Sequence, residues 1–100
     1  MLVRVGEAAE VAEGTIRAFD VEGTAVAVAN VDGQLYAVDD ACTHAWCSLA
    51  EGELNGTTVT CLCHWSQFDV RTGQVLQGPA DEPVRSRAVS DDGGALLVES

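Results

Sequence analysis

The chain contains no lysine. Its five basic side chains are all arginine (Arg4, Arg17, Arg71, Arg85, Arg87), against sixteen aspartates and glutamates. The formal net charge at pH 7 is −11, a field that repels nucleic-acid phosphates and anionic membrane surfaces. The same field suits docking on a basic protein surface or plain solubility, and composition does not choose between them. Long apolar runs are missing as well. The most apolar stretch, Thr24 to Val31, is far shorter than the roughly 20 residues that cross a bilayer. Met1 to Gly6 runs straight into Glu7, Glu10 and Glu13 with no basic region, apolar core or cleavage site, so no export signal is expected. The expected compartment is the cytoplasm, where four cysteines suit metal binding better than two disulfides.

With 100 residues the expectation is one domain with a modest core. Repeats, low-complexity segments and linkers are absent, and the only mild helical candidate is Glu7 to Glu13. Short β-prone runs broken by Gly, Asp and Asn argue instead for an all-β domain. Strands are expected at Leu2 to Val5, Thr15 to Phe19, Thr24 to Val31 and Leu35 to Val38. Asp32-Gly33 between the last two is a two-residue hairpin signal, because glycine accepts positive φ. Thr57 to Thr60 and Gln67 to Val70 are further strands, with Asn55-Gly56 and Arg71 to Gln74 as turns. Pro83 to Val89, expected to start at an edge because of its proline, and Ala95 to Val98 bracket the turn Asp91 to Gly94.

In the middle of the chain stand Cys42-Thr43-His44 and, after sixteen intervening residues, Cys61-Leu62-Cys63-His64. Each arm offers one thiolate and one imidazole, and both histidines of the chain fall inside the pattern. A mononuclear zinc finger usually keeps its like ligands paired, two cysteines in one arm and two histidines in the other. Mixed arms point to a binuclear centre with one metal held by Cys42 and Cys61 and the other by His44 and His64. With both histidines committed to metal, none is left for acid–base catalysis. A nucleophile elbow, a phosphate-binding glycine loop and a second site of two histidines and a carboxylate are all missing. The chain reads as a carrier rather than an enzyme.

The pattern Cys-x-His, fifteen to seventeen residues, Cys-x-x-His resembles that of the Rieske family, and both spacings are met. The likeness runs on through Leu49, Glu51-Gly52, Leu54, Gly56, Phe68-Asp69-Val70, Thr72-Gly73 and Gly78-Pro79-Ala80. Within the family the chain looks most like the ferredoxin component of multicomponent aromatic-ring-hydroxylating dioxygenases. The resemblance implies an all-β Rieske fold, an antiparallel β-sandwich base with a small inserted cluster-binding subdomain at about residues 41–79. It implies one 2Fe–2S cluster held by Cys42, His44, Cys61 and His64. It also implies transient partners, a flavoprotein ferredoxin reductase and a terminal oxygenase, for a monomer that binds neither nucleic acid nor membrane. Docking would be steered by acidic residues such as Asp39, Asp40, Glu51, Glu53, Asp81 or Glu82.

A second resemblance crosses the first. High-potential Rieske proteins of respiratory complexes carry a disulfide-linked pair where this chain has Cys47 and Cys63, and a hydroxyl donor where it has Ser66. If joined, Cys47 and Cys63 close a loop of seventeen residues, a constraint of ~3 kcal/mol. Two small thiols filling space beside the cluster are the alternative. Ser66 either donates to a cluster sulfur or simply forms a turn. Trp46 and Trp65 stand where glycine is common in the respiratory pattern. They are expected to pack over the cluster and exclude water, or else to face a partner. Phe68 replaces a tyrosine and removes one hydroxyl, and Pro79 resembles the proline of a loop covering the cluster.

Two ferric irons, two sulfides, two thiolates and two neutral imidazoles sum to zero charge, whereas a four-thiolate cluster sums to −2. An electron is added more easily to the neutral centre. Rieske potentials therefore span about −150 to +300 mV, against about −400 mV for four thiolates, and a value in the lower half of that window is expected here. Two rivals remain at this point: the small Rieske subunit of an oxidoreductase such as an arsenite oxidase, and a zinc-stabilised interaction module.

Overall fold

A computed structural model describes residues 1–43 and 46–100. From the N-terminus come β1 (Leu2–Glu7), a 3-10 turn at Ala8–Glu10, β2 (Ile16–Val21), β3 (Thr24–Val31) and β4 (Gln34–Asp39). A second 3-10 turn, Leu49–Glu51, leads to the short strands β5 (Glu53–Asn55), β6 (Thr58–Thr60), β7 (Gln67–Asp69) and β8 (Val75–Gln77). The chain then returns through β9 (Ser86–Arg87), β10 (Val89–Asp92) and β11 (Ala95–Glu99). These make three antiparallel sheets, ordered β1-β11-β10, β2-β3-β4-β9 and β5-β6-β7-β8. Tight turns set the registers. Glu22-Gly23 and Asp32-Gly33 all take positive φ (50°, 92°, 52° and 87°), the geometry that matches a hairpin to the right-handed strand twist. Val21 accordingly faces Thr24, and Val31 faces Gln34.

The central sheet is buried on both faces, and β3 shows how. Val26 and Val28 point into a core shared with Phe19, Val21, Ala37, Leu96 and Val98, which joins the central sheet to the β1-β11-β10 sheet as a sandwich. Ala27 and Ala29 point the other way, into a core with Val38, Leu49, Val59, Phe68, Val70, Cys42 and Cys61. Successive strand residues alternate faces, so branched side chains fill the sandwich while methyl groups let the inserted sheet approach closely. Arg87 adds a polar tie. Its nearly buried guanidinium donates to Asp39 of β4 and to the Glu99 carbonyl of β11 (2.9 Å), so it joins the two sheets of the sandwich.

Two expectations from the sequence require correction. The strand foreseen from Pro83 starts only at Ser86, because Val84 instead donates its amide to the Gly73 carbonyl (2.9 Å). The helical candidate Glu7 to Glu13 shrinks to the 3-10 turn, which the Glu10 carboxylate caps by accepting the Glu7 amide (2.8 Å). The β5 and β8 strands, three residues each, were not foreseen. They are too short to show an alternating pattern and form by pairing with β6 and β7.

Two glycines are fixed by close approach. A Cβ on Gly52 would sit 2.0 Å from the Thr60 carbonyl oxygen, and one on Gly73, at φ 82°, would sit 1.9 Å from that of Val84. Both contacts are with backbone, which cannot swing away. Gly73→Ala should therefore lower stability by about 2 kcal/mol or more, read as a lower denaturant midpoint, whereas Gly56→Ala, with nothing within 4 Å of the added carbon, should cost clearly less.

Candidate metal centre

The end of β4 and the inserted sheet deliver two loops whose described backbone hydrogen bonds follow one pattern. In the first, an isolated bridge joins Ala41 to Ser48. Inside it the Cys42 amide donates to the Cys47 carbonyl (2.9 Å), and the Trp46 amide to the Cys42 carbonyl (2.7 Å). In the second, the Cys61 amide donates to the Ser66 carbonyl (2.8 Å), and the Trp65 amide to the Cys61 carbonyl (2.8 Å). Both loops thus pair residue i with i+4 and i+5, and both turn back through a left-handed tryptophan, at φ 61° for Trp46 and 65° for Trp65. A side chain in that region costs roughly 1–2 kcal/mol, a cost that glycine would avoid.

The cysteine at the root of each loop is buried. Cys42 and Cys61 are both 1% exposed and reduced, and they lie in the same core cluster as Leu49, Val59 and Phe68. Burial pushes the Cys61 thiol up, and the adjoining Cys42 thiol adds to the effect, while the amides of Cys63 and His64 oppose it. Metal binding has to displace protons from such thiols. Cys47 and Cys63 form a disulfide with a Cα–Cα separation of 6.5 Å, and the Cys61 sulfur lies within 4.8 Å of both. Bonded sulfurs offer no thiolate, which leaves Cys42 and Cys61 as the free thiols of the site. The disulfide borders a cleft lined by Ser48, Glu51 and Leu62. His64 is exposed, next to Cys63 on the second loop, and His44 lies outside the described residues.

The remaining site residues divide sharply. Ser66 is fully buried, and its hydroxyl oxygen accepts the Ala80 amide (3.0 Å), which pins the loop carrying Pro79 to the second arm. That bond uses the oxygen as acceptor and leaves the hydroxyl proton free to donate. Phe68 is a core residue with no exposure, and Pro79 is exposed. The packing expected of the tryptophans is not what the structure shows: Trp46 is 77% and Trp65 58% exposed. Two of the expected docking carboxylates are also engaged elsewhere. Asp40 is buried and accepts the Ala50 amide (2.9 Å), and Asp39 pairs with Arg87. Glu51, Glu53, Asp81 and Glu82 are exposed.

A further device was visible in the sequence only as the run Phe68 to Gly73. Asp69 accepts the Arg71 amide (2.9 Å) and both Nε (3.1 Å) and Nη2 (2.9 Å) of its guanidinium, and the Asp69 carbonyl accepts the Gly73 amide (2.7 Å). The turn between β7 and β8 is thereby closed behind the second arm.

The donor set fits a binuclear iron–sulfur centre: two buried thiols at matching positions, a histidine beside one of them, and an apolar floor. Comparison with known proteins agrees. The Rieske [2Fe-2S] domain family matches residues 1–88. The ferredoxin component of the p-cumate 2,3-dioxygenase system of Pseudomonas putida is 40% identical over 92 residues, covering 90% of this chain and 78% of that one. The ferredoxin of carbazole 1,9a-dioxygenase from Nocardioides aromaticivorans IC177 superposes with a TM-score of 0.92 at 35% identity, covering 98% of this chain and 96% of that one. A ferredoxin solved in complex with the carbazole 1,9a-dioxygenase oxygenase gives 0.90 at 35%, over 97% and 91%.

The chain belongs to the Rieske family. It is an electron-carrying ferredoxin with one 2Fe–2S cluster, and its relatives are the electron-transfer components of dioxygenase systems rather than the catalytic ones.

Two measurements check this description. Thiol counting on the denatured, cluster-free protein without reductant should find two free cysteines, and four after reduction; Cys47→Ser should lower stability by ~3 kcal/mol. Asp69 governs a pH dependence. The Arg71 guanidinium, and then its amide, hold the carboxyl below its ordinary value despite partial burial. The resulting stability is complete above the ordinary carboxylate pKa near about 4 and is lost as pH falls through the lowered value. Unfolding free energy should accordingly drop less between pH 6 and pH 3 in Asp69→Asn than in the parent protein.

Proposed function

We propose that the protein is a cytoplasmic, monomeric one-electron carrier between a flavoprotein reductase and a terminal Rieske non-haem iron oxygenase that dihydroxylates an aromatic ring. The observation that carries this is the matched pair of arms, each rooted in a buried, reduced cysteine. Its relatives' names supply the pathway, the p-cumate system among them. The complex of a 35%-identical ferredoxin with its oxygenase supports the same kind of partner here. Among the described residues no helix is long and apolar enough to cross a membrane.

In this reading Cys42 and Cys61 hold the inner iron, and His44 and His64 the outer one. The cluster, when bound, takes up and releases a single electron with little rearrangement. Everything else falls to the protein. Phe68, Leu49 and Val59 keep water from the cysteine side. The disulfide between Cys47 and Cys63 fixes the spacing of the arms, so little reorganisation opposes electron transfer. The Ser66 hydroxyl, whose oxygen accepts the Ala80 amide, would donate a hydrogen bond toward a bound cluster and so favour the more negative, reduced state. Exposed Glu51, Glu53, Asp81 and Glu82 attract a basic partner surface, an attraction that salt screens.

Iron and acid-labile sulfide analysis should give two of each per chain. The dithionite-reduced protein should show a rhombic electron paramagnetic resonance signal with a low average g, the mark of mixed nitrogen and sulfur ligation. Zinc in place of iron, or no sulfide, would sink the assignment and restore the zinc-module reading. Replacing Ser66 by Ala should lower the midpoint potential; an unchanged value would mean that the hydroxyl serves only the Ala80 amide.

A further inference from the structure

Trp46 and Trp65 are the two largest apolar side chains exposed on the arms, and both stand on strained backbone. Their burial of 23% and 42%, the complements of their 77% and 58% exposures, recovers little hydrophobic stabilisation, while left-handed φ of 61° and 65° opposes folding. The two effects are of similar size, so folding alone gives no reason for tryptophan at both places. The same pair of hydrogen bonds in each arm holds the two tryptophans at equivalent positions, and the disulfide ties the arms that carry them. Leu62, 45% exposed, lies between them in sequence. Charge completes the surface: Glu51 borders the disulfide cleft, and the Glu82 carbonyl accepts the Thr43 hydroxyl (2.7 Å), which brings Glu82 beside the first arm. The sequence from Ala18 to Val70 holds no arginine or lysine.

We propose that Trp46 and Trp65 are paired anchors by which this ferredoxin docks on the terminal oxygenase, entering an apolar hollow whose rim is basic. The inference rests on the carrier reading above and adds the residues that make the complex. Large aromatic side chains that become fully desolvated dominate interface energetics, and their rigidity keeps the entropy of docking low. The acidic rim steers encounter, and the tryptophans set how long the complex lasts. A partner of this form excludes water from the arms while an electron crosses, and releases the carrier when the apolar contacts are given up.

The test uses the cluster-loaded protein and the terminal oxygenase of carbazole 1,9a-dioxygenase from Nocardioides aromaticivorans IC177, the organism of the matching ferredoxin. Affinity is measured by calorimetry for the parent protein, Trp46→Gly, Trp65→Gly, the double variant and Trp46→Phe. Each glycine variant should bind about tenfold more weakly or worse, the double variant about a hundredfold, and the phenylalanine variant should keep most of the affinity. Because glycine relieves the left-handed backbone, melting temperature should be unchanged or raised, with the cluster spectrum and midpoint potential unchanged. Glycine variants that bind as the parent does would overturn the anchors and leave the carrier reading standing. Glycine variants that melt lower or lose the cluster would overturn them by showing a packing role. A parent dimer that dissociates on Trp→Gly substitution would assign the surface to a second copy and overturn the proposal. A parent protein that neither binds nor reduces the oxygenase would overturn the anchors as a docking device for an oxygenase of this kind, and would leave the electron-carrying ferredoxin assignment standing.

Discussion

The site depends on one backbone device used twice. A cysteine carbonyl accepts the amide four residues on, and the cysteine amide donates to the carbonyl five residues on. The ring so formed satisfies the buried polar groups at the root of each arm, where an unpaired amide would be costly. With its backbone paired, the cysteine can sink to 1% exposure and keep its sulfur in the core, while Trp46 and Trp65 at the far side of each ring stay exposed. One such loop roots one buried thiol, so two loops with the same hydrogen-bond pattern bring Cys42 and Cys61 into one core. The left-handed residue that closes the ring is the cost of the device.

That pair of loops needs a rigid floor, and β3 provides it by serving two cores at once. Its Val26 and Val28 belong to the sandwich, and its Ala27 and Ala29 to the core shared with the inserted sheet. The two cores are coupled through a single strand, so the arms inherit the rigidity of the base without a long hydrophobic segment of their own. The inserted sheet consists of three-residue strands and would be marginal alone. It is held by Phe68 and Val59 against the alanine face, by the Asp69–Arg71 turn, and by Gly73 lying against Val84. Small domains commonly add a covalent or metal restraint to a limited core, and here the Cys47–Cys63 disulfide ties the two loops together.

Charge and exposure then separate two surfaces. Arginines are confined to the base and to the β7–β8 turn, where Arg71 and Arg87 are already paired with Asp69 and Asp39. The arms and their surroundings carry free carboxylates around bare aromatic rings. A polar rim around an apolar centre is the usual anatomy of a specific interface, and the electrostatic part of such a surface is open to screening by salt.

The cysteine–histidine spacing, the all-β class and most turns were legible in the chain. Ligand types and spacing are local and chemical, and hairpins at Asp32-Gly33 and Gly93-Gly94 follow from single residues that tolerate positive φ. Spacing brought Cys47 and Cys63 under suspicion only through a resemblance, and could not place Asp40, whose carboxylate turned inward to an amide of the second 3-10 turn. What the tertiary structure alone decided was exposure and pairing: that β5 and β8 exist, that Pro83 starts no strand, and that the tryptophans face outward. Each of these depends on partners distant in the chain. A three-residue strand is defined by its neighbour across the sheet, and the direction of an aromatic ring by a backbone angle that no composition or period reports.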